Sequence, residues 1–164
     1  MIAVDTNLLV YAHRADSPWH AAAKECVREL AETARWAIPW PCVHEFYAIV
    51  THPRIYRPPS TIAQAAAQLE AWIASPSLTL IGEGEAGWST LRDLVTAGKV
   101  VGPVIHDARI AAVCLQHGVA ELWSCDRDFS RFPSLRVVNP LMPIRAGERR
   151  PPWSKQRSPA ARAR

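Results

Sequence analysis

Short, mostly apolar runs recur along this chain with longer stretches of helical periodicity between them, and that alternation is its strongest constraint on fold. The runs are Ile2-Ala3-Val4, Trp36-Ala37-Ile38-Pro39, Leu78-Thr79-Leu80-Ile81, Glu121-Leu122-Trp123-Ser124 and Arg136-Val137-Val138. The first, ending at the polar turn Asp5-Thr6-Asn7, reads as a buried strand followed by a loop that can form a site, and the others read as further short strands. Strands separated by helices pair in parallel through crossovers. The expectation is an α/β sandwich around a mostly parallel sheet of about five strands.

The intervening segments carry helix punctuation. Ser17-Pro18 reads as an N-cap followed by proline at the first helical position. Behind it Trp19, Ala23, Cys26, Val27, Leu30 and Ala34 share one face of a helix over roughly 18–34. Pro41 opens a helix with Val43, Phe46, Tyr47 and Val50 inward, ending near His52-Pro53. Thr61 and Gln64 have capping-box spacing, followed by an apolar face of Ala65, Leu69, Trp72 and Ile73. A helix near 84–97 places Trp88, Leu91, Leu94 and Val95 inward and stops at Gly98. Pro103 begins a last helix, which stops at Gly118. Trp19, Trp72, Trp88 and Trp123 are expected in the core or at a dimer contact.

Charge is unevenly distributed. Residues 145–164 hold seven of the 19 basic residues and one of the 15 acids, so the preceding 144 residues, with 12 basic and 14 acidic groups, are net −2. After Pro143 periodicity disappears, and 145–164 read as a basic, disordered tail following a domain over 1–144. The four cysteines (Cys26, Cys42, Cys114, Cys125) show no C-x-x-C pair; free thiols in a reducing compartment are expected. No run approaches the ~20 apolar residues of a membrane span. An acid at position 5 with no basic leader before it argues against a secretory signal, so a cytoplasmic protein is expected.

In parallel sheets sites form at the carboxyl ends of strands. Asp5 follows the first run and Asp126 the fourth, while Glu45 and Asp107 fall in the first turns of helices that follow loops. Four carboxylates converging there would repel and raise one another's pKa values. A divalent cation removes that conflict, and all-oxygen donors suit Mg²⁺ or Mn²⁺ over zinc. Such an ion activates water and polarises a phosphodiester. Taken singly, each acid also fits a capping, turn or solvated helix position.

Val4-Asp5-Thr6-Asn7, Val43-His44-Glu45-Phe46 and His106-Asp107-Ala108-Arg109-Ile110-Ala111-Ala112 together resemble the PIN domain. The segments Asp126-Arg127-Asp128-Phe129-Ser130-Arg131-Phe132-Pro133 and Leu135-Arg136-Val137-Val138-Asn139-Pro140 are similar to the end of VapC-type toxins, so the resemblance covers about residues 2–141. It implies a PIN-like three-layer sandwich and a Mg²⁺- or Mn²⁺-dependent endoribonuclease that cleaves RNA phosphodiesters with metal-activated water. It further implies the toxin half of a toxin–antitoxin pair, a homodimer inhibited by a VapB-like antitoxin. Carried over by position, Asp5 and Asp107 are the main metal ligands, with Glu45 and Asp126 completing the quartet. Thr6 and Asn7 would place hydroxyl and amide beside Asp5, and Asp128 is an auxiliary acid.

Other readings stay open at this point. A PIN-like nuclease acting on structured DNA or RNA outside a toxin–antitoxin pair shares these motifs, and so does a non-catalytic PIN binding module. A phosphoryl-accepting receiver domain is disfavoured, because Asn139-Pro140 follows Val137-Val138 where that design needs a lysine. With an acidic body, contacts to RNA phosphates must come from groups such as Arg14, Arg109 or Arg127, or from the tail. Trp40 is available for base stacking, although Pro39-Trp40-Pro41 reads more simply as a rigid turn.

Overall fold

The computed structural model describes residues 1–142; the tail assigned to 145–164 lies outside them. Among the described residues five strands form one all-parallel sheet: β1 (Ile2–Val4), β2 (Trp36–Pro39), β3 (Leu78–Ile81), β4 (Glu121–Trp123) and β5 (Val137–Val138). Their spatial order is β3-β2-β1-β4-β5. The sheet is therefore wholly, not mostly, parallel. All four consecutive residues of β2 are buried, which requires cover on both faces and makes the sandwich three layers deep.

Six α-helices link and flank the strands among the described residues: α1 (Thr6–His13), α2 (His20–Thr33), α3 (Trp40–Val50), α4 (Ile62–Ile73), α5 (Gly87–Ala97) and α6 (Ile105–Gln116). The capping box is complete. The Gln64 backbone N–H donates to Thr61 Oγ1 at 3.2 Å, and the Gln64 side chain accepts from the Thr61 N–H at 2.8 Å. Gly118, at φ +61°, supplies the left-handed turn that ends α6.

Several expectations need correction. Ser17 does not cap α2, which starts at His20. Its hydroxyl instead accepts the Trp19 N–H at 3.2 Å within the turn that precedes the helix. Trp19, Ile73 and Trp88 are exposed, Trp88 at 69%. Helix α5 has no fully buried residue: Leu91, Leu94 and Val95 are half-buried against the core, and the Trp88 ring faces solvent. Glu45 does not follow a loop, because β2 runs straight into α3 with Pro41 in the helix's first turn. All four cysteines are free, Cys42 and Cys114 buried and Cys26 and Cys125 half-buried. No helix among the described residues is long and apolar enough to cross a membrane.

Candidate active site

The strand order reverses direction at β1, and the crevice outside the carboxyl ends of β1 and β4 is where the candidate site forms. Asp5 is the residue after β1. It stands at the N-cap of α1, yet its side chain makes no capping hydrogen bond. The carboxylate Oδ2 instead accepts from Asn7 Nδ2 and from Ser124 Oγ, each at 2.6 Å, while Oδ1 meets the Cys42 thiol at 3.8 Å. Only 4% of Asp5 is exposed. Burial is the main reason its pKa rises to about 7, with Glu45 and Asp107 adding smaller repulsive contributions.

Asp107 lies in the first turn of α6. Its pKa rises to about 6, again first through burial, then through the charges of Asp126, Asp128 and Glu45. The electrostatic links join Asp5, Glu45, Asp107, Asp126 and Asp128 into one acidic group. The repulsion expected from the sequence is present, but desolvation outweighs it. Glu45 is exposed on α3, and its Oε2 accepts from Thr6 Oγ1 at 2.6 Å. Thr6 therefore braces Glu45, not Asp5 as expected. Asn7 does brace Asp5, and its Oδ1 also accepts the Cys125 N–H at 3.1 Å.

Sequence reasoning missed Ser124, which it read as the last residue of the fourth strand. Ser124 is 2% exposed and links the two halves of the site. Its hydroxyl donates to Asp5 and accepts from Asn7 Nδ2 at 3.0 Å and from the Asp126 N–H at 2.9 Å. A small hydroxyl residue just beyond an apolar strand and two before an acid was the available signal. Asp126 Oδ1 accepts the Asp128 N–H at 2.9 Å, and Asp126, Arg127 and Asp128 are all exposed.

The donors suit a hard divalent ion, being carboxylate oxygens from four segments of chain. The neighbouring Cys42 is held as a neutral thiol, since burial pushes its pKa well above the ordinary value. Among the described residues no three His, Cys, Asp or Glu side chains stand close enough together to hold an ion jointly. An open carboxylate rim is nevertheless what Mg²⁺ uses, because it retains several waters and takes only one or two carboxylates. Two of the three cations expected to meet phosphates are already engaged. Arg14 is clamped by Asp16 (2.6 Å) and stacks over Tyr56 at 4.0 Å, and Arg109 pairs with Glu83. Arg127 forms no ion pair among the described residues.

The fold is an all-parallel α/β sandwich with an acidic rim at its switch point, and the chain belongs to the PIN domain family, which its residues 2–135 match. Among curated relatives it is similar to Ribonuclease VapC48 of Mycobacterium tuberculosis, at 32% identity over 84% of this chain and 95% of that protein. Ribonuclease VapC31 of the same organism is 35% identical over 85% of this chain and 99% of its own length. Of solved structures, VapBC2 from Rickettsia felis bound to a promoter DNA fragment superposes with a TM-score of 0.63 at 19% identity, covering 84% of this chain and 98% of that one. Mycobacterium tuberculosis VapC20, a Sarcin-Ricin loop cleaving toxin, gives 0.59 at 18% identity, covering 79% and 93%.

Proposed function

We propose that this chain is a Mg²⁺- or Mn²⁺-dependent endoribonuclease of the VapC kind, the toxin half of a toxin–antitoxin pair. The observation that carries the reading is Asp5. A carboxylate buried at a strand end, refusing its capping role and held by Asn7 and Ser124, is a site residue and not a helix cap. Near-full-length similarity to proteins named ribonucleases supports the same reading. Asp5 and Asp107 would hold the cation, and Glu45 and Asp126 would complete the acidic quartet around it. The bound ion supplies a Lewis acid that polarises the phosphodiester and lowers the pKa of water. Asn7 and Ser124 fix the Asp5 carboxylate, and Thr6 fixes that of Glu45, so the acids meet the ion with little reorganisation. Asp128 is an auxiliary acid on the exposed loop.

The partners that follow are an RNA substrate, a VapB-like antitoxin and a second copy of this chain. The domain spans 1–144, and the basic segment 145–164 adds nonspecific affinity for RNA. Removing residues 146–164 is expected to weaken RNA binding and flatten its salt dependence. Expression should arrest growth, and the purified protein should cleave RNA with Mg²⁺ or Mn²⁺ but not with a chelator. Asp5→Ala and Asp107→Ala should each abolish both effects. Cleavage that persists in both variants, or that prefers single-stranded or flapped DNA, overturns the reading.

A further inference from the structure

Residues 46–69 contain no Asp or Glu, the longest such interval in the chain, and Arg54 and Arg57 are its only formal charges. Both are exposed on the loop 51–61 that joins α3 to α4. Neither forms an ion pair among the described residues. The loop that carries them is held in shape. At its base the Ser60 N–H donates to the Val50 carbonyl at 2.8 Å, and in its middle the Ile55 and Tyr56 N–H groups both donate to the His52 carbonyl at 3.1 Å. Arg14, whose guanidinium stacks over the Tyr56 ring, donates from both terminal nitrogens to the Pro58 carbonyl at 3.2 Å. Arg14 is thus engaged by Asp16 and by the loop, while Arg54 and Arg57 face water.

The loop also stands in line with the acidic rim. Asn7, Tyr11 and Arg14 follow one another at i, i+4 and i, i+3 spacing, so one face of α1 leads from the brace of Asp5 to the tether of the loop. Seven residues of helix cover about 10 Å, roughly three stacked nucleotide steps. Half-buried Tyr11 lies between the two ends. Its pKa rises first through burial, then through Cys125 and Asp126 at the rim, and that of Tyr56, also raised first by burial, responds to Arg14, Asp16 and Tyr11. Asp16, the acid that Tyr56 senses, is paired with Arg14. Resting on the ribonuclease reading above, we propose that Arg54 and Arg57 bind phosphates of the RNA strand about three nucleotides from the scissile bond and hold that strand along α1. Guanidinium forks match phosphate oxygens, and phosphate contacts set the register of a strand without reading its sequence. Arg14 and Arg109, expected in this role, are engaged by Asp16 and Glu83.

The test follows cleavage of a single-stranded RNA, and of versions shortened one nucleotide at a time from either end, by the full chain with Mn²⁺. Arg54→Ala with Arg57→Ala should raise KM for the long RNA about tenfold, with kcat nearly kept. The slope of log KM against log salt should flatten by about 1.4, for two contacts at ~0.7 each. Once the RNA is shortened past about three nucleotides on one flank, wild type and variant should share the same KM, because the contacted phosphates are gone. Shortening the other flank should leave the difference intact. Arg54→Lys with Arg57→Lys should recover most of the affinity, and both double variants should melt as the wild type does. An unchanged KM in the folded Ala variant, or a loss that persists on every shortened RNA, overturns the phosphate contacts and leaves the nuclease standing. Unchanged RNA cleavage with weakened inhibition by the antitoxin overturns them too and gives the loop to the protein partner. Absence of any RNA cleavage by the wild type removes both readings.

Discussion

The two halves of the acidic rim are built on opposite plans. Asp5 sits inside the protein, its orientation set by two short hydrogen bonds and its charge opposed by burial. Asp126 and Asp128 sit on an exposed loop, where only a backbone N–H directs Asp126 and water surrounds both side chains. One half is fixed and reluctant to ionise, whereas the other is exposed and loosely placed. A cation arriving at this rim therefore gains most from Asp5, because it relieves a buried charge there, and least from Asp128.

The contrast can be broken at its strongest point first. Asp5→Asn should lower RNA cleavage by a factor on the order of 10³ while raising the Tm of the cation-free protein at neutral pH. A fall in both would mean that Asp5 is structural. Ser124→Ala, which frees the carboxylate without removing it, should lower Mn²⁺ affinity or activity about 10–100-fold, as read by titration and by cleavage rate. The pH dependence sharpens the same point. Asp5 moves from an ordinary value of 3.8 to about 7 on folding, so the fold favours its protonated form. Its contribution is complete at low pH and is lost as pH rises through the window between those values. Without cation, denaturant titration should find the protein about 2 kcal/mol less stable at pH ~7.5 than at pH ~5. Asp5→Asn should shrink that difference, and Mn²⁺ should offset it. At the weak end, Asp126→Asn should reduce cleavage about tenfold and Asp128→Asn about twofold; equal effects would erase the distinction drawn between them.

Much of this arrangement was readable from pattern. The strand runs and helical segments follow from apolar period and punctuation, and the Thr61-Gln64 box formed as its spacing demands, although α2 and α6 begin at His20 and Ile105, not at Pro18 and Pro103. Asp5 and Asp126 drew attention because they follow strands, and Asp107 because it opens a helix, whereas Glu45, in the middle of α3, was singled out mainly by the family resemblance. What failed to read was pairing at a distance. Whether Thr6 serves Asp5 or Glu45 depends on how α1 packs against α3, which local sequence does not encode. Ser124 looks like strand residue until β4 lies beside β1. The misjudged tryptophans share a cause: periodicity marks an apolar face but not whether another element reaches it. Trp88 is thus exposed although Leu91, Leu94 and Val95 are half-buried on the same helix.

The bond between Ser124 and Asp5 joins residues 119 positions apart. On a ribosome, that interval takes on the order of ten seconds to synthesise, and during it β1 lacks the central neighbour that completes its edge. In a chain made from its N-terminus, this acidic edge comes together only after most of the message encoding it has been translated.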